Sequence, residues 1–138
     1  MILFASDKVT IFNRVFDAEN EVETWNKTLA LSNLVKTKGS NITKTGLENA
    51  DTAKLYCDFQ IGSKVYVEPK AYEALADKST AFTFAEGVDF FVEGDLSEVE
   101  IPEENAFEYF LENYDSVFRV TTVDQYKDVM PHIEVGGE

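Results

Sequence analysis

The chain has 138 residues and a mass of 15.6 kDa, a length at which one hydrophobic core is enough and folding buries about 70% of the unfolded chain's surface. Its apolar fraction of 44% excludes disorder. The 26 acidic against 12 basic side chains give a net charge of -14, which argues against binding to the phosphate backbone of nucleic acids. One cysteine and one histidine are too few for an internal disulfide or a structural zinc site.

The first third of the chain has the patterns of β-structure. Residues 9–16 alternate polar with β-branched and aromatic side chains, which predicts a half-buried strand. Residues 17–21 predict a polar turn, and residues 23–38 predict one long strand, or two joined by a bend near Ser32 and Asn33. We expect Trp25 to anchor this segment in the core.

The middle of the chain predicts a loop, more strands and a short helix. Residues 39–46 are bounded by glycines and contain almost nothing to bury, so they predict an extended loop. Residues 53–61 predict a strand with Cys57 facing inward. Residues 64–67 predict a short strand, and Pro69 then begins a helix of about two turns. Its predicted apolar stripe contains Tyr72, Leu75 and Ala76.

The last part of the chain predicts a second helix between strands. Residues 81–84 and 88–93 are strand-like, and Gly87 and Gly94 punctuate them. A helix is predicted to begin at Pro102 with three early acids, which suit its dipole. The apolar face of this helix contains Phe107, Phe110, Leu111 and Tyr114. Residues 116–123 and 132–135 predict the final strands.

These elements together predict a mainly β (α+β) fold. We expect a small β-barrel or sandwich of about seven to eight strands, with two short helices and an extended loop. No glycine-rich loop follows a strand and opens a helix, so the sequence lacks the phosphate-cradling motifs. We expect residues 1–138 to form one domain.

The net charge is concentrated in one part of the sequence. Residues 1–80 carry 10 basic and 11 acidic side chains, whereas residues 81–138 carry 2 basic and 15 acidic ones. This asymmetry indicates either a solvated face or a surface that lies near a polyanion or docks onto a basic partner. The longest uncharged stretch, residues 28–35, is far shorter than the roughly twenty residues of a membrane helix. The opening residues lack a leader pattern, so we expect a soluble, unprocessed protein.

No group of residues points to catalysis. His132 is near the chain end with no evident nucleophile, and Cys57 lies in an alternating strand where a buried thiol is inert. A candidate acidic surface is formed by Glu86, Asp89, Glu93, Asp95, Glu98, Glu100, Glu103 and Glu104. Such acids can bind calcium, but the spacing of the helical calcium loop is absent. We predict no catalytic residue, no metal site and no cofactor. The many phenylalanines are predicted to form core, since a nucleic-acid stacking platform needs a basic groove.

Several short motifs occur together in an order that is found in a family of small phage proteins. They are VTIFNR, ETWNKT, GLENAD, YVEPKAYEAL, GVDFFVEGD, YDSVFRVTTVD and PHIEVGGE. The chain resembles the minor capsid or head-to-tail connector proteins of tailed phages and prophages of Gram-positive bacteria. The resemblance spans residue 9 to the C-terminus, and its motifs are structural. This chain has Ile133 where relatives carry tryptophan, and QYKDVMP where they carry a basic, glycine-containing turn.

The resemblance implies a virion structural protein of the head completion or stopper layer. Such β-barrels assemble into homo-oligomeric rings, generally hexamers. Portal and adaptor proteins lie above the ring, and a tail terminator or the tail tube lies below it. The ring surrounds or closes the channel, and DNA passes nearby without specific binding. No membrane is involved, and the protein is made in the host cytoplasm and located in the virion.

The resemblance also assigns roles to two segments. A candidate channel or inter-subunit loop is formed by Gly39, Ser40, Asn41, Ile42, Thr43, Lys44, Thr45 and Gly46, with an ordinary exposed loop as the other reading. A candidate C-terminal partner contact is formed by His132, Ile133, Glu134 and Val135, which would pair along a neighbour's strand edge. A frayed tail is the simpler expectation there.

Alternatives to this assignment stay open. One is a tail terminator or another tail-associated structural protein. A second, of a different class, is an acidic DNA-mimic inhibitor that occupies the DNA groove of a nuclease or repressor, which requires acids at phosphate-like spacing on one face. A third, an acid-rich enzyme or a calcium-binding module, has no supporting set of residues.

Overall fold

The structure is a computed structural model that describes residues 6–17, 19–37, 42–43, 46–47 and 52–138, with only the backbone of 42–43 and 46–47. Its strands are β1 (Asp7–Asp17), β2 (Val22–Thr37), β3 (Ile42–Thr43), β4 (Gly46–Leu47), β5 (Thr52–Cys57), β6 (Gln60–Ile61), β7 (Lys64–Tyr66), β8 (Ala81–Phe82), β9 (Phe90–Glu93), β10 (Val117–Tyr126) and β11 (His132–Gly137). Its helices are α1 (Pro69–Ala74) and α2 (Ala106–Asn113). Six strands form a closed barrel in the order β1-β2-β5-β11-β10-β9, and each neighbouring pair is antiparallel. The predicted mainly β fold with two short helices is confirmed, and it is a barrel.

Strand β2 connects two parts of the barrel wall. Its residues up to Ser32 pair with β1, and those from Asn33 onwards pair with β5. The chain therefore forms one continuous strand of 16 residues that changes partner where the sequence predicts a bend. Because β2 pairs with β1 over its first part and with β5 over its second part, one strand joins these two strands of the closed barrel.

The barrel interior is filled by side chains. Alternation along each strand directs one set of residues inward. The interior cluster comprises Val9, Ile11, Ala30, Ala53, Leu55, Cys57, Phe82, Phe84, Phe91, Phe118, Val120, Ile133 and Val135. A Cβ atom added to Gly137 would lie 2.8 Å from the Cβ of Phe118, so this glycine belongs to the tightly packed interior. β11 continues beyond Val135, where the sequence predicts its end, because Gly136 and Gly137 also pair with β10 and β5.

Residues 58–89 pack against the barrel interior. They contain a three-stranded sheet of β6, β7 and β8 together with α1, and Phe82 and Phe84 from this segment belong to the interior cluster. The predicted helix at Pro69 is confirmed, but it ends at Ala74. Of its predicted apolar stripe, Tyr72 is buried, Leu75 is half-buried and Ala76 is exposed.

Helix α2 and the loop before it lie across the outside of β1, β9 and β10. The Thr10 hydroxyl donates to the Gly94 carbonyl at 2.8 Å and accepts from the Leu96 amide at 2.9 Å, which fixes the loop to β1. Lys27 Nζ donates to the carbonyls of Leu96 and Val99. A second core cluster lies beneath this cover and comprises Phe12, Phe90, Val92, Leu96, Phe110 and Val117. Trp25 packs at its edge and is half-buried, so it contacts this outer cluster and not the barrel interior.

The start of α2 differs from the prediction. The helix begins at Ala106 and not at Pro102, because Asn105 has a φ of 55° and a left-handed residue cannot continue a right-handed helix. As a result only Glu108 of the acids lies in the first turn. Phe110 is buried as predicted, whereas Leu111 is 53% exposed.

Candidate functional site

The chain's one thiol is part of the packed interior. Cys57 is fully buried, as its position in the strand predicts. Burial raises the pKa of the Cys57 thiol to about 12, so the group stays protonated at neutral pH. It acts as a small apolar side chain.

Asp89 does not belong to the acidic surface on which the sequence places it. Its side chain is buried, with an exposed fraction of 1%. Its carboxylate accepts hydrogen bonds from the Arg14 amide at 2.9 Å, the Ala85 amide at 2.8 Å and Asn13 Nδ2 at 3.0 Å. These donors need a buried acceptor, which explains the inward orientation. Burial raises the pKa of Asp89 to about 6, and the hydrogen bonds from the Arg14 and Ala85 amides oppose that shift.

Two other members of the predicted acidic surface have specific partners. Glu93 pairs with Lys36 at 2.6 Å. Asp95 accepts hydrogen bonds from the amide and hydroxyl of Ser97, which lower the pKa of Asp95. Within the described ranges, no group of three or more histidine, cysteine, aspartate or glutamate side chains is arranged to hold a metal ion.

Eight of the exposed acids lie in one segment that crosses the outside of the barrel. Residues 94–115, which cover the outside of β1, β9 and β10, contain acids but no lysine or arginine. We call this segment the acidic cover, and its acids are Asp95, Glu98, Glu100, Glu103, Glu104, Glu108, Glu112 and Asp115. All eight side chains are exposed. Glu86 is exposed but lies outside the cover.

The side of the barrel formed by β2 and β5 has no such cover in the part of the chain that is described. Leu29, Leu31 and Val35 point outward from β2 and are 39%, 57% and 52% exposed. Tyr56 of β5 lies opposite Asn33 on the same outer surface. We call the outward side chains Leu29, Leu31, Val35 and Tyr56 the bare wall. In the closed strand order β2 lies opposite β10 and β5 lies opposite β9, while β1, which the acidic cover also crosses, is the neighbour of β2.

Sequence reasoning does not find the bare wall, because the orientation of β2 is unusual. The smaller side chains of Thr28, Ala30 and Ser32 face the interior, while the leucines between them face outward. A shift of one residue in register exchanges the two faces of a strand, so alternation alone does not tell which set is buried. The available signal is the strict alternation of large and small side chains in this segment.

The C-terminal segment is an internal strand, and the predicted pairing with a neighbour's edge is wrong. β11 pairs with β10 on one side and with β5 on the other, so both its edges are used within the barrel. Ile133 and Val135 are fully buried in the interior cluster, which also excludes a frayed tail. His132 and Glu134 are half-buried on the outer surface.

His132 holds the preceding turn against β11. Its Nδ1 lies 2.8 Å from the Met130 carbonyl, and its Nε2 lies 3.0 Å from a Glu134 carboxylate oxygen. The ring stacks on Tyr126 with 5.0 Å between centroids. The Met130 carbonyl and then Glu134 raise the pKa of His132, because both accept hydrogen bonds from the protonated ring.

The predicted inter-subunit loop is described only in part. The backbone of Ile42–Thr43 pairs antiparallel with that of Gly46–Leu47. Gly39, Ser40, Asn41, Lys44 and Thr45 lie outside the described residues. The loop's predicted role stays a prediction.

Comparisons with known proteins give one match. A family model described as a family of unknown function, DUF6751, matches residues 4–138. No curated protein and no solved structure matches the chain. Neither helix in the described ranges is long and apolar enough to cross a membrane. Since the family model spans nearly the whole sequence, the chain belongs to the DUF6751 family.

Proposed function

We propose that the protein is a virion structural protein that forms a ring layer at the phage head-to-tail junction. Its place is the head completion or stopper layer, between the portal and adaptor proteins and the tail. The proposal comes from the sequence motifs shared with connector proteins, and the bare wall is the observation that carries it. A tail terminator is the nearest alternative, and it belongs to the same class of ring proteins.

The bare wall is the surface through which copies associate. Leu29, Leu31 and Val35 form an apolar strip along a single strand, and an exposed apolar strip of this kind marks an interaction surface. Complete burial of one aliphatic side chain contributes about 1.5–3 kcal/mol. Three such side chains on each subunit supply an attraction that works against the repulsion between acidic copies.

The acidic cover is the surface that faces DNA. It carries eight acids without a basic residue, and it lies over β9, β10 and β1, the last of which is the neighbour of β2 in the barrel order. DNA has one negative charge per about 1.7 Å of axis, so a wall of carboxylates repels it. A ring that presents this cover to its channel lets DNA slide without binding it.

The channel in this proposal lies between copies and not within one barrel. Thirteen buried residues fill the barrel interior, and the segment of residues 58–89 packs against it. A single subunit therefore offers no internal path for a duplex. A ring of several copies creates the opening.

Native mass spectrometry and electron microscopy of the purified protein test the proposal. We expect rings, or a stable complex when portal, adaptor and tail proteins are added. Higher salt should favour the rings, because ions screen the repulsion between acidic subunits. A complex with tail-tube protein alone would favour the tail terminator. A strictly monomeric protein that inhibits a nuclease would contradict the proposal and favour the DNA-mimic inhibitor.

A further inference from the structure

The turn between β10 and β11 carries an exposed apolar pair. Val129 is 91% exposed, the largest exposed fraction among the large apolar side chains of the described chain, and Met130 is 47% exposed. Lys127 and Asp128 precede this pair and are also exposed. We call Lys127, Asp128, Val129 and Met130 the tip. Apolar side chains this exposed gain burial only from a surface outside their own turn.

The tip has a fixed shape that includes a strained residue. Met130 has a φ of 54°, in the left-handed region that favours glycine. Its carbonyl lies 2.8 Å from His132 Nδ1, and the His132 ring stacks on Tyr126, which holds the turn against the hairpin. Glycine would adopt this φ without strain, so methionine here makes the subunit less stable. Strain of this kind is concentrated at binding sites and switch regions.

A recess on the outer surface of β5 and β11 lies next to the bare wall. It has a volume of about 500 Å³, and its lining includes Val35, Lys54, Tyr56, Thr121 and Gly136. Val35 and Tyr56 are also members of the bare wall, so the two surfaces are continuous. Burial alternates along β11 and places Gly136 outward, where it adds no side chain to fill the recess.

The tip and the recess of one subunit lie apart and do not meet. Gly136 lies about 13 Å beyond His132 along β11, whereas the tip precedes His132. The high exposure of Val129 also means that it does not fill the recess of its own subunit. A patch that contacts its own counterpart closes a two-fold dimer, whereas a ring of more copies joined head to tail needs two different patches. The tip and the recess are two such patches.

The charges of the tip and the recess are complementary. The tip carries Lys127 and Asp128, and neither forms an ion pair among the described residues. The lining of the recess includes Lys54 and Glu138. Lys54 is exposed and lies 3.5 Å from Glu134, a surface pair that contributes little. Each patch therefore has one cation and one anion for the other, around an apolar centre.

We propose that the tip of one subunit inserts into the recess of a second copy of this chain. Its two apolar side chains pack against Val35 and Tyr56, and Asp128 pairs with Lys54. The inference rests on the proposed ring, and it names the surface that the bare wall meets. A second copy is the occupant because the charges match and because the two patches lie at different positions along one strand, as a head-to-tail contact requires.

Sedimentation equilibrium of matched valine variants tests the apolar part of the contact. Val129→Ser should raise the concentration for half-assembly by about tenfold or more, since the burial of one aliphatic side chain is lost. Val65→Ser is the control, because Val65 is 48% exposed on β7 and lines neither patch. It should leave assembly unchanged. Thermal unfolding of both variants checks that the fold is intact.

Met130→Gly separates binding from stability at the strained position. It should weaken assembly, because an apolar side chain of the tip is removed. It should also keep or raise the unfolding temperature, because glycine adopts a φ of 54° without strain. A residue that serves only the fold of the turn would not change assembly.

An exchange of charges tests the pairing of Asp128 with Lys54. Asp128→Lys and Lys54→Asp should each raise the concentration for half-assembly by about threefold or more, and the double variant should recover most of that loss. Glu112→Lys makes the same change of charge on α2 and should not weaken assembly. Because Asp128→Lys also reduces the general repulsion between acidic copies, weaker assembly would be specific to this contact.

The outcomes separate this contact from the proposed function. Rings that form equally well with Val129→Ser and Met130→Gly would overturn the contact and leave ring assembly standing. Open head-to-tail oligomers that Val129→Ser abolishes would retain the contact and overturn the ring. If Val129→Ser keeps the rings but loses binding to added portal or tail proteins, the tip belongs to another partner and the second copy is overturned as occupant. An unmodified protein that is strictly monomeric would overturn both proposals.

Discussion

Outward-facing apolar side chains are buried on one part of the barrel and exposed on another. On the side of β1 and β9, Phe12 and Phe90 stack with 4.6 Å between ring centroids and are fully buried beneath α2. On the side of β2, Leu29 and Leu31 point outward and remain exposed. Both pairs are large and apolar, and both lie on barrel strands. The difference is that the described chain supplies a cover for the first pair only.

This comparison separates residues that stabilise the fold from residues that are available to a partner. Burial beneath α2 stabilises the subunit whether or not it assembles. The exposed leucines contribute little to the subunit, and they gain apolar burial only when another surface covers them. Of the four predictions below, the first and the last test that separation, and the second and third compare a buried with a partly solvated titratable group. They run from the largest effect on stability to the smallest.

Phe90→Ala should lower the free energy of unfolding by about 3–5 kcal/mol, since it removes a buried ring that packs on Phe12, Trp25, Phe107 and Phe110. Urea unfolding at low protein concentration measures the change. Leu31→Ala on the exposed side is the control and should cost less than about 1 kcal/mol. Equal losses in the two variants would remove the distinction between the sides.

Asp89 should make stability depend on pH. Its pKa is about 6 in the folded protein and 3.8 in the reference state, so between these values the folded chain holds a proton that the unfolded chain has lost. The contribution is complete below pH 3.8 and is lost as the pH rises through about 6, with a slope of up to about 1.4 kcal/mol per pH unit.

Urea unfolding between about pH 4 and pH 7 measures this slope. Asp89→Asn should be less stable, because its amide group faces the donors Asn13 Nδ2 and the Ala85 amide. It should nevertheless lose the slope. The exposed Asp77 and Asp95 have lowered pKa values and act below this range with the opposite sign. An unchanged slope in the variant would contradict the assignment.

His132 should add a smaller pH effect of the same sign. Its pKa is raised above 6.5 in the folded state, so its contribution is present below pH 6.5 and is lost as the pH rises through the folded value. We expect less than about 1 kcal/mol, since the ring is partly solvated. His132→Gln should flatten the profile near neutrality, as followed by thermal unfolding. A variant with the same profile as the unmodified protein would exclude this role.

Much of the fold follows from the sequence, because alternation and proline positions are local signals. Cys57 faces the interior and Phe110 anchors α2, as their patterns predict. What the sequence does not determine depends on contacts between distant segments. Asp89 is buried because the Asn13 side chain and the Arg14 amide of the distant strand β1 converge on it, together with the nearby Ala85 amide. The C-terminal strand is enclosed because β5 and β10 occupy its two edges.

The positions of the charged and the exposed apolar residues on the barrel also cannot be predicted from the sequence alone. The excess of acids after residue 80 is visible in the sequence, but the position of eight of them over β1, β9 and β10 requires the fold. The sequence also does not predict that Arg14 and Arg119 both line the groove between α2 and the β1–β2 hairpin, since 105 positions along the chain separate them. The outward orientation of Leu29 and Leu31 depends on the register with β1.

The most direct test compares two leucines of similar exposure, one in the bare wall and one in the acidic cover. Leu31 of the bare wall is 57% exposed, and Leu111 of α2 is 53% exposed. Leu31→Glu and Leu111→Glu add the same charge, and each should change subunit stability by less than about 0.5 kcal/mol. Sedimentation velocity over a range of concentrations measures assembly. The account predicts that Leu31→Glu abolishes the rings while Leu111→Glu retains them. Rings that persist with Leu31→Glu would contradict the claim that the bare wall joins the copies.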